Sequence, residues 1–176
     1  MMQAALTLDD LEAGWRQTEK SPQDMGTVEM IVRRPKPEER EELESATFTS
    51  AAGLAGDDWL RRSANPDAQI TMMNSRLINL LAGDKSRWAL SGDQLFVDLD
   101  ISQDNLPPGT RLQIGAVVME VSPLPHTGCT KFARRFGGAA RKWVMTDEGK
   151  EARRRGIYTK VIVDGEIRVG DRIQKL

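Results

Sequence analysis

The stretch Ile157-Tyr-Thr-Lys-Val-Ile-Val-Asp-Gly-Glu-Ile-Arg-Val169 carries two runs of alternating apolar residues, one on each side of an Asp-Gly pair. A period of two is typical of a strand with one buried face. Asp-Gly suits the positive φ angles of a two-residue type I′ turn. The stretch therefore predicts a β-hairpin that turns at Asp164 and Gly165.

Further short strands are predicted on both sides of this hairpin. In the first of them, Val28, Met30 and Val32 alternate, which predicts that they share one face. The remaining ones end in a closing strand after Gly170. The predicted strands before the hairpin cover residues 26–34, 46–50, 69–73, 94–100 and 110–121.

The predicted helices are inserted between groups of strands and do not alternate with them. Thr7 and Asp10 form a capping-box pattern for a helix that ends near Lys20, and Gly83 would stop a second helix. This order argues against a doubly wound sheet and favours a mainly β (α+β) fold, either a closed β-barrel or a closed β-sandwich, with a few short helices packed on it. We expect a helical extension over residues 1–25 and the barrel domain over residues 26–176. The later helices are predicted at 75–82, at 132–143 with an interruption at Gly137-Gly138, and from Asp147 to Arg154.

The composition of the 176 residues is that of an ordinary soluble domain, with 39% hydrophobic and 29% charged residues. No apolar run approaches the roughly 20 residues that span a bilayer. The N-terminal residues are acidic in part and show no signal-peptide core, and a single cysteine agrees with a reducing compartment, so we expect a cytoplasmic location. One histidine and one cysteine cannot supply a closed zinc site. Any metal must bind through few protein ligands or inside a cofactor.

Charge is unevenly distributed although the net charge is only −1. Residues 1–60 hold 13 acidic and 6 basic side chains, whereas residues 131–155 hold 9 basic and 3 acidic ones. The basic segment begins two residues after the single cysteine, Cys129. An anionic ligand near that cysteine would be attracted to it. Two solvated helix faces are the alternative interpretation.

Cys129 stands in Pro125-His-Thr-Gly-Cys-Thr-Lys-Phe132, after a glycine and at the start of a predicted helix. Backbone N–H groups and the positive end of the helix dipole favour a thiolate there, as would Lys131, Arg134 and Arg135 if they face it. The pattern is typical of a nucleophile, a sulfur carrier or a soft-metal ligand. A buried, inert cysteine is the alternative, because free cysteine is among the most buried residue types.

Seven stretches, given below in chain order, resemble the MOSC domain. The domain is named for the C-terminal domain of molybdenum cofactor sulfurases. The resemblance covers residues 26–174 and places the only cysteine where this family keeps its cysteine. The chain departs from better-known relatives in having Gly128, where they usually have proline before the cysteine. The stretches are Gly53–Asp57, Gln69–Asn74, Leu90–Val97, Leu106–Val121, His126–Cys129, Arg155-Gly156 and Gly165–Asp171.

The resemblance implies a barrel-like fold and a link to the molybdenum cofactor. Family members occur in sulfurases that bind this cofactor and in molybdenum enzymes that reduce N-hydroxylated compounds. The family cysteine binds the metal as a thiolate in those reductases, and in other members it has been proposed to carry sulfur as a persulfide. The expected partners are a pyridoxal-phosphate-dependent cysteine desulfurase or a molybdoenzyme, with no pyridoxal phosphate in this chain itself. The chain looks like a short, free-standing member without the reductases' extra N-terminal domain.

On this basis Cys129 is the candidate reactive residue and metal ligand, with His126 as its catalytic neighbour. His126 could lower the thiol pKa as an imidazolium or move a proton, or it could simply tie down the loop. Lys131 could stabilise the thiolate or meet a phosphate, and Arg155 could grip a phosphate or carboxylate bidentately. Arg153 and Arg154 are expected to be solvated.

Three further residues are candidates for cofactor binding. Asn74 and Arg76 follow a strand end, where they could contact a ligand, although Asn74 could instead cap the next helix. Asp57, like Asp171, follows a glycine in a matching motif. We expect both carboxylates to hold turns by accepting backbone N–H bonds in preference to taking part in chemistry.

Two classes of function stay open, and two are rejected. The protein could be a sulfurtransferase-like protein or molybdenum-dependent oxidoreductase acting through Cys129, or a non-catalytic module that binds a small anionic ligand or a partner. Nucleic-acid binding is rejected, because the chain is weakly acidic and the aromatic residues of the basic segment have buried-helix spacing. A papain-like hydrolase is rejected too, since its histidine normally comes from a distant part of the chain.

Overall fold

The computed structural model describes residues 4–176 as a β-barrel with helices packed on one side. The expected mainly β fold is confirmed. The strands are β1 (Met25–Arg33), β2 (Glu41–Leu43), β3 (Ser45–Thr49), β4 (Gly53–Leu54), β5 (Ile70–Asn74), β6 (Leu95–Asp98), β7 (Arg111–Ile114), β8 (Val117–Val121), β9 (Ile157–Val163), β10 (Gly165–Arg168) and β11 (Arg172–Lys175).

The helices are short, and none within residues 4–176 is long and apolar enough to pass through a lipid bilayer. Two 3₁₀ segments lie at Pro66–Ala68 and Lys85–Ser91. The α-helices are α1 (Leu8–Gln17), α2 (Trp59–Arg62), α3 (Ser75–Ala82), α4 (Thr130–Phe136), α5 (Gly138–Val144) and α6 (Asp147–Glu151).

Seven strands close the barrel in the order β1-β11-β7-β8-β9-β5-β6, with β6 paired back to β1. All neighbours in this ring are antiparallel except β5 and β6, which run parallel in the register Met72↔Leu95. The connection between these two strands, residues 75–94, contains α3 and the second 3₁₀ segment. The short strand β2 extends the sheet beside β1.

The predicted hairpin at Asp164-Gly165 is wrong, because the two strands belong to different sheets. β9 pairs with β8 and β5 in the barrel, whereas β10 pairs with β3 in a separate three-stranded sheet with β4. The Asp164 carboxylate accepts a hydrogen bond from the backbone N–H of Ser50, and Gly165 packs against Ala116, where a Cβ would lie 3.0 Å away. The pair therefore marks a close crossing between sheets.

Apolar residues form two cores on the two faces of the barrel wall. Ile70 and Met72 of β5 point into the barrel, and Met73 points outward to the helices. The interior core consists of buried apolar side chains with the buried Thr159 among them, and the outer core is closed by α1, α3, α4 and α5. One strand therefore supports both layers through the alternation of its side chains.

The prediction that Val28, Met30 and Val32 share one face of β1 is wrong. Val28 lies in the interior core, whereas Met30 and Val32 lie in the outer core. The register of β1 against β6 shifts between Val28 and Met30, which is the mark of a β-bulge. A bulge inserts one extra residue, so it exchanges the two faces of the strand beyond it.

Helix ends follow the predicted capping residues in part. Thr7 and Asp10 form the predicted capping box, although α1 ends at Gln17, before Lys20. Gly83, in the left-handed region at φ 73°, ends α3 as predicted. The interruption at Gly137 divides the long predicted helix into α4 and α5, because Gly137 has φ 97°. Thr146 accepts the capping bond of α6, which starts at Asp147 as predicted but ends at Glu151, before Arg154.

The expectation that Arg153 and Arg154 are solvated is wrong. The Arg154 guanidinium is buried over the indole of Trp143, 4.1 Å from the ring centroid, and pairs with Glu12 at 3.4 Å. Arg153 donates to the backbone carbonyls of Ile101 and Leu106. Arg154 thus joins the segment before β9 to α1 and α5, and Arg153 joins it to the loop after β6.

We predict that Gly26→Ala destabilises the barrel by about 1–3 kcal/mol, the usual effect of overpacking. Gly26 pairs with Ile173 in β1, and a Cβ there would collide with the backbone carbonyl oxygen of Asp98 in β6. Urea unfolding measures the change. The control is Gly138→Ala, where a Cβ meets nothing within 4 Å. Equal stability of the two variants would contradict the close packing at Gly26.

Candidate functional site

A cavity of about 480 Å³ opens at one end of the barrel and contains four of the predicted site residues. Cys129, His126, Lys131 and Arg155 all line it. The opposite wall comes from residues 34–40, between β1 and β2, and from α2. Thr71, Ser91, Gly92 and Tyr158 also line it. The cavity therefore collects residues from six separate parts of the chain.

The loop that carries Cys129 is held in place by its backbone. The Gly128 N–H donates to Sδ of Met145 at 3.2 Å, and the Gly128 carbonyl accepts from Nε of Arg141 at 3.1 Å. A Cβ at Gly128 would lie 3.3 Å from Cγ2 of Val144, which is tight contact. The glycine thus lets the loop pack closely on α5 just before the thiol.

Cys129 is the N-terminal cap residue of α4, and its side chain is exposed. Partial burial raises the pKa of the thiol, but the backbone N–H groups of Phe132 and Lys131 and the guanidinium of Arg155 lower it more, and the net direction is downward. These amides act on the charge of Sγ at a distance, since Cys129 forms no side-chain capping hydrogen bond. The structure therefore places the thiol at the surface and not in the core, with a pKa lowered toward the thiolate form.

Arg155 is anchored below the thiol in a buried ion pair. Its Nη1 donates to Oδ2 of Asp93 at 2.9 Å, and its Nη2 donates to the carbonyl of Ser91 at 2.9 Å. The guanidinium also lies 4.9 Å above the ring of Phe132 in α4. Asp93 is fully buried and Arg155 is 6% exposed, while Nε of Arg155 has no partner among residues 4–176. One donor of the arginine therefore stays unused.

His126 packs against the same ion pair, with its side chain only 8% exposed. Its Nδ1 lies 3.8 Å from Oδ1 of Asp93, too far for a hydrogen bond, and its ring stacks on Tyr158 at a centroid distance of 4.4 Å. Burial lowers the pKa of His126 well below its ordinary range, helped by the charges of Arg155 and Arg34. A neutral imidazole carries no charge with which to stabilise the thiolate. Of the roles predicted for His126, proton transfer and packing of the loop remain.

Positive charge dominates the lining of the cavity, with seven cationic and two acidic side chains. Arg34 is buried and chelated by Asp57 through Nε at 3.0 Å and Nη2 at 2.9 Å, while its Nη1 donates to the carbonyl of Gly92. Burial lowers the pKa of Arg40, and repulsion from Arg135 and Arg34 lowers it further. Such crowding of cations favours binding of an anion.

The family model for the MOSC domain matches residues 60–174, about two thirds of the chain. The chain belongs to the MOSC domain family. A search of the curated proteins finds no match.

Several solved structures share the fold at low sequence identity. YuaD from Bacillus subtilis matches with a TM-score of 0.59 and 16% identity, over 85% of this chain and 94% of that one. YiiM from Escherichia coli matches with a TM-score of 0.58 and 19% identity, over 85% and 69%. YiiM from Geobacillus stearothermophilus matches with a TM-score of 0.61 and 16% identity, over 86% and 75%.

Three of the predicted binding residues lie away from the lining of the MOSC cavity. Asn74 caps α3 by accepting from the N–H of Leu77 and donates to Ser21 and the carbonyl of Leu99. Arg76 is paired bidentately with Asp98 and donates to the carbonyl of Glu19. Both residues therefore have structural roles where β5 ends and α3 begins.

Asp57 holds a turn, as expected, and also positions a cation of the cavity. It accepts hydrogen bonds from the N–H groups of Arg34 and Trp59 and from the Arg34 side chain. Asp171 likewise accepts from the N–H of Arg168. Asp57 does not line the cavity itself, and it affects the site by positioning the side chain of Arg34.

Sequence reasoning missed the cavity wall formed by Arg34, Glu38 and Arg40. Their segment carries mixed charges and two prolines, so it was indistinguishable from a solvated loop. Asp93 was missed as well, although it lies inside the Leu90–Val97 stretch that resembles the family. Its neighbours, Gly92 and Gln94, gave no local signal, and only the fold brings its carboxylate to Arg155.

We predict that Arg155→Gln raises the pKa of the Cys129 thiol, because it removes a cation that stabilises the thiolate. The pH at which iodoacetamide alkylation reaches half its maximal rate measures this pKa. In the unchanged protein this midpoint should lie below that of free cysteine, at about 8.5. It should move upward in the variant.

Two controls accompany this measurement. Arg155→Lys keeps a positive charge and should shift the midpoint less. Arg134→Gln removes an exposed cation of α4 that does not line the cavity and should leave the midpoint unchanged. Circular dichroism checks that Arg155→Gln is folded, since it leaves Asp93 buried without its cation. An equal shift in the Arg134 and Arg155 variants would contradict a specific role for Arg155.

Proposed function

We propose that this MOSC protein binds the molybdenum cofactor or handles its sulfur, with the Cys129 thiolate as the reacting group. A single observation supports the proposal: an exposed thiol of lowered pKa opens into the same cation-lined cavity as a buried arginine with a free donor. A soft thiolate suits molybdenum as a ligand and sulfur as an acceptor.

The residues of the cavity fit a phosphate-bearing pterin. Arg155, Arg34 and Arg40 line the cavity and give it fixed positive charge, and the buried Nε of Arg155 has no partner among residues 4–176. Guanidinium groups hold phosphate through paired N–H donors, which suits binding at this depth. The volume of about 480 Å³ lies within the range of small-molecule sites. We assign Cys129 as the metal ligand and these arginines as the holders of the phosphate group.

When bound, the molybdenum cofactor supplies two-electron redox chemistry, which suits reduction of N-hydroxylated compounds. This chain contributes a thiolate ligand, a positive lining that neutralises the phosphate, and a neutral His126 that can take or give a proton. Lys131 points its ammonium group at Glu38, 2.8 Å away, so the thiolate depends on Arg155 and the backbone amides. This division of roles follows from the contacts around each cation.

Sulfur carriage needs only the thiolate and a donor persulfide. The Cys129 thiolate attacks the terminal sulfur of a persulfide on a pyridoxal-phosphate-dependent cysteine desulfurase. The new S–S bond forms on Cys129 while the donor's S–S bond breaks, and the electron pair leaves on the donor cysteine as a thiolate. The exposed position of Cys129 leaves room for this approach.

We predict that Cys129→Ala abolishes sulfur transfer and lowers cofactor content. The protein is produced in a host that makes the molybdenum cofactor, and metal analysis and pterin fluorescence measure what it retains. In parallel, persulfide labelling from a cysteine desulfurase with radioactive sulfur measures transfer. Arg134→Gln, outside the cavity, is the matched control for both measurements.

The same experiment separates the proposal from a non-catalytic anion-binding module. In such a module Cys129→Ala leaves ligand binding intact, whereas Arg155→Ala reduces it. Equal cofactor content and equal sulfur labelling of Cys129→Ala and the unchanged protein would reject the role of the thiol. A loss with Arg155→Ala alone would then favour the module.

A further inference from the structure

Glu38 spans two cations at the rim of the Cys129 cavity. Its Oε1 accepts from Nζ of Lys131 at 2.8 Å, and its Oε2 accepts from Nη2 of Arg135 at 2.7 Å. Lys131 and Arg135 are one helical turn apart on α4, so their charged groups are neighbours. These hydrogen bonds lower the pKa of Glu38 to about 2. A carboxylate of the chain itself thus lies where two cations of the rim converge.

The segment that presents Glu38 is held at both ends, and Glu38 has an unusual backbone. The carbonyl of Pro35 accepts from Nη2 of Arg61, and Nε of Arg40 donates to the carbonyl of Ala89. Glu38 itself has φ 66°, in the left-handed region that residues with a Cβ rarely adopt. The local backbone is therefore strained in the position that brings the carboxylate to Lys131 and Arg135.

The hydrogen bonds of Glu38 are short, but they lie at the surface, where they contribute little to stability. Glu38 and Lys131 are each 61% exposed in their side chains. Exposed ion pairs contribute little to stability, because water and salt screen them. A ligand group with more charge than a carboxylate can therefore replace Glu38 at small cost to the fold. Arg40, near Arg135, adds to the field that such a group would meet.

We propose that Glu38 is an internal competitor, whose carboxylate occupies an anion subsite formed by Lys131 and Arg135 until a dianionic phosphate group displaces it. The inference rests on the anion-binding part of the proposed function and adds its regulation. A single-charge carboxylate ligand gains no charge by the exchange, whereas a phosphate monoester or pyrophosphate does. Glu38 thereby makes the cavity selective for phosphate-bearing ligands over simple carboxylates.

Calorimetric titration with inorganic pyrophosphate at low salt tests this inference. Glu38→Gln should bind pyrophosphate roughly three- to tenfold more tightly than the unchanged protein, the effect of freeing the exposed Lys131 and the partly buried Arg135 from their ion pairs. Glu39→Gln removes the same charge from the neighbouring residue, whose side chain does not line the cavity, and should change the affinity much less. Equal affinity of the two variants, or weaker binding by Glu38→Gln, would overturn the inference.

A second pair of variants tests whether Glu38 acts through the two cations. In a Lys131→Gln/Arg135→Gln background, Glu38→Gln should no longer increase the affinity, because the subsite is gone. An undiminished gain there would also overturn the inference. Pyrophosphate binding with no effect of Glu38 rejects the competitor alone. A failure of both the unchanged protein and Glu38→Gln to bind pyrophosphate rejects the anion-binding function itself, and the inference with it.

Discussion

The buried ion pair between Arg155 and Asp93 is the contact on which the site depends. It joins the start of β9 to the segment before β6, and the same guanidinium packs on Phe132 of α4. Neither charge could stay buried alone, since an unpaired buried charge is strongly destabilising. The pair therefore fixes three elements together and leaves a positive group beneath the thiol of Cys129, where it favours the thiolate.

The cations that line the cavity around this pair differ in their hydrogen-bond partners. Arg34 is paired with Asp57 in the interior, whereas Lys131 and Arg135 share the single carboxylate of Glu38 at the surface, so one positive charge remains there. The Nε of Arg155 keeps no partner among the described residues. The cavity is consequently rich in positive charge without being unstable, because each cation has either a partner or access to water. The positive electrostatic field that attracts an anionic ligand is therefore present before the ligand binds.

Local patterns predicted the elements well and their partners poorly. Thr7, Asp10, Gly83 and the break at Gly137 act over one helical turn, so sequence spacing was enough to find them. The hairpin at Asp164-Gly165 and the shared face of β1 failed, because sheet pairing and the bulge depend on residues far along the chain. The candidate site followed the same rule: Cys129, His126, Lys131 and Arg155 were predicted and line one cavity, whereas Arg34, Glu38 and Asp93 are brought to them only by the fold.

The number of strands in the barrel has a geometric consequence for the site. Strand direction reverses at each antiparallel neighbour, so a closed ring must contain an even number of such reversals, and seven strands cannot all be antiparallel. At least one parallel pair is obligatory, here β5 and β6. Parallel neighbours require a long return path across the barrel, which hairpins do not. That path supplies Ser91, Gly92 and Asp93, so the odd strand count places the anchor of Arg155 beside the thiol.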